Sequence, residues 1–240
     1  MKNLSEFAGW ELANQLGHRY IVPTRPKTAV PPYLLPNFEA DGFLWQPKFD
    51  GSHKVLWVGK SESPAYRPFT VYTRHGDWRA SNDGTTMYVS GPGSEKLASM
   101  CALLAAVLPP GSALSFEWLD KAKACVVNGK ESVPTGIIIH DVMRWPDVNP
   151  HTASYMTRMS ALWAVANRRG KVRCLPGTVR IDGIPNVRML DLEDRAWTMH
   201  RTATLGPLYE GVVIRDLLHS LNRREDGIFK CRHANNTVPY

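Results

Sequence analysis

The stretch QPKFDGSHKVLW, Gln46–Trp57, decides the fold and carries the least ordinary chemistry of the chain. Its second half alternates apolar and polar residues, which is typical of a half-buried β-strand. Its first half nevertheless contains Lys48, Asp50 and Gly51, which belong to the residue types that strands use least. A hairpin turn would explain the Asp-Gly pair. The lysine needs a further reason, which has to come from the rest of the chain.

The composition is that of a folded protein with a sizeable core. The chain has 240 residues, 43% hydrophobic and 21% charged, enough for one large domain or two small ones. No apolar run approaches the ~20 residues of a membrane helix, so no membrane partner is expected. The four cysteines lack metal-site spacing and no signal peptide is present, which predicts a reduced, cytoplasmic protein. The net charge of +7 fits a nucleic-acid partner, although proteins without one share it.

Prolines divide the chain into a lead-in and a main domain. Residues 21–37 contain five prolines, and proline fixes φ and removes a backbone donor. We therefore expect an extended segment there, after a short helix within residues 1–20. Residues 1–40 are predicted to form a lead-in that packs on one domain, residues 41–240.

The remaining chain mixes strands and helices without a regular βαβ alternation. This mixture predicts an α+β fold of antiparallel sheets flanked by helices. A polar loop is expected at residues 77–93, and a helix cap at Ser94. Strands are predicted at residues 69–76, 113–120, 135–143, 209–217 and 227–233, and helices at residues 94–108, 154–167 and 192–205.

Two of these helices have apolar residues at helical spacing. Both apolar faces are interpreted as core contacts. They comprise Leu97, Met100, Leu104 and Leu108 on the first helix, and Met156, Met159, Trp163 and Ala166 on the second.

A basic stretch, Arg158–Arg173, holds five basic residues and no acid. It is either a solvated helix end or a track for a phosphate backbone. The candidates for phosphate contact are Arg168, Arg169, Lys171 and Arg173.

Charged residues recur within the predicted strands or at their ends. A single such residue is most simply a salt bridge or an edge-strand residue that faces water. Several in a fixed order, together with Lys48, indicate a site. They are Arg74 before Gly76, Glu117, Asp141, Glu210, and the pair Lys230 and Arg232.

This ordered set resembles the covalent nucleotidyltransferase superfamily, which includes ATP-dependent DNA ligases, RNA ligases and mRNA capping enzymes. The resemblance covers residues 46–233 and implies the fold of a ligase adenylation domain, an ATP-grasp-like nucleotidyltransferase fold. The family motif K-x-D-G matches Lys48–Gly51, a strand ending in glutamate matches Phe116-Glu117, an aromatic-Asp pair matches His140-Asp141, E-G-[IV]-V-x-[KR] matches Glu210–Arg215, and a K-x-K-like motif matches Lys230–Arg232.

The resemblance implies covalent catalysis by Lys48. In the family this amine attacks the α-phosphorus of ATP, pyrophosphate leaves, and a lysyl-AMP forms. Nearby positive charge, here from Lys230 and Arg232, favours the neutral amine and balances the phosphate charge. Glu117 and Glu210 would hold Mg²⁺ or Mn²⁺, since hard cations take oxygen ligands.

The resemblance also implies which residues orient Lys48 and which residues contact the nucleotide. Asp50 would orient Lys48 or a metal-bound water, and Glu117 would also contact the ribose. Gly51 would let the nucleotide approach the backbone closely. Four further residues are implied to contact the nucleotide or the nucleic acid. They are Gln46 at the adenine amino group, His53 at the nucleotide, Arg74 at the ribose or a strand-end phosphate, and His140 stacked on adenine.

Departures from the family pattern favour an RNA ligase or a compact phage-like ligase that acts in the cytoplasm as a monomer. His53 stands where DNA ligases and capping enzymes usually have arginine, and Phe116-Glu117-Trp118 is closer to RNA-ligase strands. Only ten residues follow Lys230, so no C-terminal OB-fold is expected. The expected activity is transfer of AMP to a 5′-phosphate end and sealing to a 3′-hydroxyl, with RNA-containing ends preferred.

Three alternatives remain at this point. The first is a nick-sealing ATP-dependent DNA ligase, and the second is a GTP-dependent capping guanylyltransferase. The third is a nucleic-acid-binding domain that has the fold without turnover, although the intact Lys48, Glu117, Glu210 and Lys230 argue against it.

Overall fold

The computed structural model describes residues 1–38, 43–61, 63–64, 67–120, 124–132, 135–166, 175–193, 197–223 and 226–233. Within these ranges the α-helices are α1 (Glu6–Gln15), α2 (Ser94–Val107), α3 (Tyr155–Ala166) and α4 (Met199–Leu205). Short 3-10 helices lie at Pro32–Phe38 and Leu221–Arg223. The strands are β1 (Lys2–Asn3), β2 (Thr28–Ala29), β3 (Phe43–Phe49), β4 (Ser52–Val58), β5 (Phe69–Thr73), β6 (Trp78–Asn82), β7 (Met87–Val89), β8 (Ala113–Leu119), β9 (Cys125–Val127), β10 (Lys130–Ser132), β11 (Gly136–Arg144), β12 (Thr178–Arg180), β13 (Val187–Leu190), β14 (Tyr209–Asp216) and β15 (Ile228–Arg232).

The described strands form two large sheets and one hairpin. The larger sheet has the order β1-β7-β6-β5-β4-β8-β11-β13-β12, and the smaller has the order β2-β15-β14-β3. Strands β9 and β10 pair as the hairpin. Most pairs are antiparallel, with parallel pairing at β1–β7, β11–β13 and β2–β15. A mixture of helices with largely antiparallel sheets is what the sequence predicts.

Helices α2 and α3 cover one face of the larger sheet and bury its main core. The predicted apolar face of α2 is confirmed, since Leu97, Met100, Leu104 and Leu108 are all buried there. On α3, Met159 and Ala166 are buried, while Met156 and Trp163 pack against the same core from partly buried positions. Burial of these faces is the main source of stability for such helices.

The other face of the larger sheet packs against the smaller sheet. A second buried core forms around the smaller sheet and includes Ile138 from β11, Val212 and Ile214 from β14, and Trp197 just before α4. Strands β3 and β4 are consecutive in the chain but belong to different sheets. The chain therefore crosses from one sheet to the other at Asp50 and Gly51.

Three local predictions were wrong. Residues 77–93 were expected as a polar loop but contain β6 and β7, because Trp78 and Ala80 are buried between their polar neighbours. The cap of α2 is Gly93 at φ 86°, not Ser94, whose Oγ lies 3.2 Å from that of Ser90. The helix expected at residues 192–205 begins only at Met199, after the N-cap Thr198.

The N-terminal segment matches the expectation only in part, because the segment predicted as extended ends in a 3-10 helix at Pro32–Phe38. Helix α1 lies within residues 1–20, and the proline-rich segment is irregular apart from β2 and the 3-10 helix Pro32–Phe38. In the described part of the chain, no helix is long and apolar enough to span a bilayer.

His18, which follows α1, is a buried histidine that holds the N-terminal segment to the larger sheet. Its side chain is 2% exposed, and its Nδ1 lies 2.9 Å from Thr70 Oγ1 on β5. Its Nε2 has no hydrogen-bond partner among the described residues. Burial lowers the pKa of His18 from 6.5 to about 4, so the folded protein keeps this ring neutral.

Acid should therefore destabilise the protein through His18. In the unfolded chain His18 is protonated below about pH 6.5, whereas in the folded protein it is protonated only below about pH 4. The free energy of unfolding therefore falls as the pH falls between these two values. Between pH 7.5 and 5 we expect the wild type to lose about 2 kcal/mol more free energy of unfolding than His18→Gln. Urea unfolding at both pH values measures this difference. Parallel pH profiles of the two proteins would contradict it.

Candidate active site

A cavity of about 610 Å³ opens where the two large sheets face each other. Its wall includes residues of both sheets and of the N-terminal segment. It brings together every residue for which the sequence predicts a nucleotide contact: Gln46, Lys48, Gly51, His53, Arg74, Glu117, His140, Glu210, Lys230 and Arg232.

The smaller sheet contributes the predicted nucleophile and its charged neighbours. Directly paired residues of neighbouring strands share a face of the sheet, so register decides which side chains meet. Two rows cross from β3 through β14 to β15. They are Lys48–Gly211–Arg232 and Gln46–Val213–Lys230.

Glu210 reaches the cavity through an irregularity in β14. The pairing of β14 with β3 shifts register between Tyr209 and Gly211, and such a bulge re-aims the side chain beside it. Gly211 has φ +148°, and a Cβ there would lie 2.0 Å from the carbonyl oxygen of Cys231. Only glycine fits this position. The Glu-Gly pair of the motif thus has a structural basis, because the glycine permits the strand pairing and the bulge orients the carboxylate.

Lys48 and Glu210 form an ion pair in the cavity wall. The Nε of Arg232 lies 3.5 Å from the same Glu210 oxygen. The side chains of Lys48 and Glu210 are only 18% and 16% exposed, so water screens their interaction weakly. Attack on phosphorus needs a neutral amine, and a second cation at Glu210 would help to release Lys48 for that role.

The larger sheet forms the opposite wall. Its strands place His53, Glu117 and Ile138 side by side in one row. Gly51, at the entry to β4, packs against β8 so closely that a Cβ would lie 2.6 Å from the carbonyl oxygen of Trp118. Protein packing alone therefore requires a glycine there, and close approach of a nucleotide stays a prediction.

Glu117 is an unusual carboxyl group. Burial raises its pKa to about 7, and the charge of Glu210 adds to the rise, whereas Lys48 and the N–H of Gly51 lower it. Glu117 and Glu210 thus face the same cavity closely enough to influence each other. A cation beside Glu117 would favour its ionised form.

The carboxylates of Glu117 and Glu210 could bind a divalent cation whose other ligands are water and phosphate oxygens. Across the described residues, no group of three or more His, Cys, Asp or Glu side chains could hold a metal ion. Mg²⁺ commonly takes one or two protein carboxylates and completes its shell with water and phosphate oxygens. Glu117 and Glu210 supply the two carboxylates that such coordination uses.

Two histidines meet in the wall beside Glu117. The rings of His53 and His140 are 4.7 Å apart and nearly perpendicular. Ser115 Oγ lies 2.6 Å from His53 Nε2 and 3.5 Å from His140 Nδ1. Burial lowers the pKa of both, that of His140 to about 3, so both rings are neutral at physiological pH. His140 lines the cavity, and its stacking on adenine stays a prediction.

Asp50 and Arg74 occupy different positions from the rest. Asp50 lies at the crossing between the sheets, where its N–H donates to the carbonyl of Leu208 at 2.8 Å, and its side chain is not among those that line the cavity. Its role in orienting Lys48 stays a prediction. Arg74 follows β5 at the exposed rim, where its Nε donates to His75 Nε2 at 2.9 Å.

The N-terminal segment completes the wall, which the sequence did not indicate. Tyr72 donates to the carbonyl of His18 at one end of this segment, and β2 pairs with β15 at the other. The segment thereby runs from one sheet to the other. The prolines of this segment predicted an extended chain, but no sequence pattern indicated that Arg25 and Lys27 lie near Lys48 and Glu210. The cavity-lining residues missed here are Thr24, Arg25, Pro26 and Lys27.

A buried ion cluster lies behind the cavity. Asp141 is fully buried and accepts two hydrogen bonds from Arg158, one from Arg215 and one from Thr24, each at 3.1 Å. The interpretation of the basic stretch as a solvated helix end is wrong for Arg158, which is 0% exposed. An acid 17 residues earlier in the chain holds it inside. The other basic residues of the stretch, Arg168, Arg169, Lys171 and Arg173, lie outside the described residues.

Comparison with known proteins supports the fold. No family model matches the sequence, and no curated protein matches it. The structure is similar to that of the ligase domain of LigD from M. tuberculosis, with a TM-score of 0.50 and 14% sequence identity. The match covers 90% of this chain and 61% of that chain, so this chain spans about three fifths of its length. The chain therefore has a fold similar to that of a ligase domain.

Proposed function

We propose that this protein is an ATP-dependent polynucleotide ligase that joins a 5′-phosphate end to a 3′-hydroxyl end and prefers RNA-containing ends. The position of Lys48 carries the proposal. Its amine contacts Glu210 in a cavity whose wall also holds Glu117, Lys230 and Arg232. A lysine placed among two carboxylates and two cations suits a nucleophile that meets a phosphate chain.

The first step forms a bond between Lys48 and AMP. The Nζ lone pair attacks the α-phosphorus of ATP, and a P–N bond forms. The bond from that phosphorus to the oxygen that bridges the α- and β-phosphates breaks, and pyrophosphate leaves with the electron pair. The nitrogen, which is positively charged after the attack, then loses one proton to solvent. Lys230 and Arg232 balance the negative charge that develops on the phosphate oxygens.

Two transfers follow at the same site. A 5′-phosphate oxygen of the nucleic acid attacks the AMP phosphorus and releases Lys48, and a 3′-hydroxyl then displaces AMP to form the phosphodiester. Mg²⁺ or Mn²⁺, held by Glu117 and Glu210 with phosphate oxygens, would neutralise charge on the phosphates. Gln46 and His140 would contact the base, and Arg74 at the rim would meet the strand end.

The substrate preference rests on His53. The family position that is usually arginine in DNA ligases is a partly buried, neutral histidine here, hydrogen-bonded to Ser115. A contact that an arginine would offer to a nucleotide is absent at that position. A nick-sealing DNA ligase is the alternative, because Glu210–Arg215 suits both substrates equally.

Covalent labelling tests the proposed reaction. The purified chain is incubated with Mg²⁺ and α-labelled ATP or GTP, then separated on a denaturing gel. We expect label from ATP that is lost in acid and survives alkali, as a P–N bond requires. Label from GTP alone would indicate a capping guanylyltransferase. Absence of label with either nucleotide and with either Mg²⁺ or Mn²⁺ would refute an enzyme of this class.

Sealing assays then test the substrate. Nicked duplexes with an RNA strand, nicked DNA duplexes and single-stranded RNA, each with 5′-phosphate and 3′-hydroxyl ends, are supplied with ATP. Faster sealing of the RNA-containing nick is expected. Faster sealing of nicked DNA would favour the DNA-ligase alternative.

A further inference from the structure

We propose that Tyr155 determines the preference for adenine over guanine by fixing which end of the Gln46 amide faces the cavity. The inference rests on the proposed function, since it assumes that a nucleotide base lies against Gln46. Tyr155 belongs to none of the motifs and does not line the cavity itself. It acts through Gln46 and is therefore a positioning residue.

Three polar groups meet at the Tyr155 hydroxyl. Gln46 Nε2 lies 3.1 Å from it and Gln46 Oε1 lies 3.3 Å from it. The backbone carbonyl of His140 accepts from the hydroxyl at 3.1 Å. Gln46 and Tyr155 are 1% and 0% exposed, so each polar atom must find its partner within the protein or in a ligand.

The single hydroxyl proton decides the orientation. A backbone carbonyl can only accept, so it takes the proton of Tyr155. The hydroxyl oxygen then has only lone pairs to offer Gln46, and it accepts from Nε2. The amide oxygen Oε1 keeps its lone pairs for the cavity. Were the amide reversed, an oxygen would replace the donor at the closer position, and a buried hydrogen bond would be lost.

Tyr155 is held rigidly enough for this task. It is the first residue of α3, and the guanidinium of Arg215 lies 4.3 Å from its ring centroid, with that of Arg158 at 5.9 Å. Both arginines bind Asp141, so the ring packs against the buried ion cluster. The hydroxyl therefore cannot swing away when a base arrives.

The chemistry of the two bases makes this orientation selective. The edge of adenine presents an amino group, which donates to an outward-facing Oε1. The same edge of guanine presents a carbonyl oxygen, which would face Oε1 without a proton between them. A site built to hydrogen-bond one group rejects an analogue that leaves its polar atoms unpaired. Without the Tyr155 hydroxyl, the amide can reverse and donate to guanine through Nε2.

The ratio of labelling efficiencies with ATP and GTP tests the inference. The wild-type full chain and Tyr155→Phe are labelled with each nucleotide over a range of concentrations. The ATP:GTP ratio of the variant is expected to fall at least about 10-fold, the worth of one oriented hydrogen bond. Tyr155→Leu, which also lacks the hydroxyl, provides a second variant with the same expected fall. Tyr88→Phe is the matched control, since it removes a tyrosine hydroxyl that donates to Asp83 and takes no part in the cavity wall.

A double variant separates orientation from structural damage. In Gln46→Glu/Tyr155→Phe both side-chain oxygens accept, so reversal no longer matters, and the ATP preference should return. An unchanged ratio in Tyr155→Phe and Tyr155→Leu, including an equal loss with both nucleotides, would overturn the role of Tyr155 while leaving the proposed function intact. A wild-type chain that takes label from neither nucleotide would overturn both.

Discussion

Replacing Lys48 with arginine is expected to abolish covalent nucleotide labelling, with a loss of more than about 10³-fold. A guanidinium stays protonated and offers no lone pair to phosphorus, so the P–N bond cannot form. The variant retains a positive charge beside Glu210 and should keep the cavity folded. Labelling with α-labelled ATP measures the loss, and binding of ATP without covalent transfer should persist.

The control for this experiment is a lysine with no place in the cavity. Lys60 follows β4 and is exposed, so Lys60→Arg makes the same chemical change away from the site. It is expected to label at the wild-type rate. Undiminished labelling of Lys48→Arg would assign the nucleophile to another residue and would remove the central argument for the proposed reaction.

Much of the candidate site could be predicted from the sequence because its residues occur in short motifs on strands. Lys48 and Gly51 frame the crossing between two sheets, which explains why strand-avoiding residues interrupt a strand pattern there. Glu210 and Gly211 likewise combine a reactive group with a local backbone requirement. In each case the candidate functional residue and the glycine beside it are close in the chain, so a short sequence motif contains both.

The rest of the site depends on contacts between distant segments. Arg25 reaches the cavity because β2 pairs with β15 and the carbonyl of His18 accepts from Tyr72, pairings that no local pattern encodes. Arg158 was grouped with the basic residues at 168–173, because the stretch Arg158–Arg173 contains no acid, and a solvated position was one expectation for all of them. The burial of Arg158 depends on Asp141 and on the carbonyls of Ala153 and His219, which accept hydrogen bonds from its guanidinium group.

Loops and strands were confused for a related reason. In residues 77–93 the polar composition outweighs a few apolar residues, and a loop was the expected structure. Trp78 and Ala80 are buried nonetheless, because the edge of β5 provides a partner for their strand and α1 covers it. Strand formation here is a property of the neighbours, as β-propensity generally is.

The largest effect on stability is expected at Asp141. Asp141→Asn keeps the size of the side chain but leaves the buried guanidinium groups of Arg158 and Arg215 without their shared counter-charge. Removing one partner of a buried ion pair costs about 3–5 kcal/mol. We expect the free energy of unfolding, measured by urea titration at neutral pH, to fall by that amount. Labelling should fall as well, because Arg215 also packs on the ring of Tyr155.

An exposed ion pair provides the comparison that identifies the cause. Asp216 pairs with Arg223, whose side chain is 45% exposed, so Asp216→Asn should cost no more than about 1 kcal/mol. The same chemical change then compares a fully buried carboxylate that has two arginine partners with a carboxylate whose single arginine partner is exposed. Equal losses in the two variants would mean that the cluster around Asp141 is screened like a surface pair. Adding Arg158→Met to Asp141→Asn should recover part of the loss, since the double variant no longer buries that uncompensated charge.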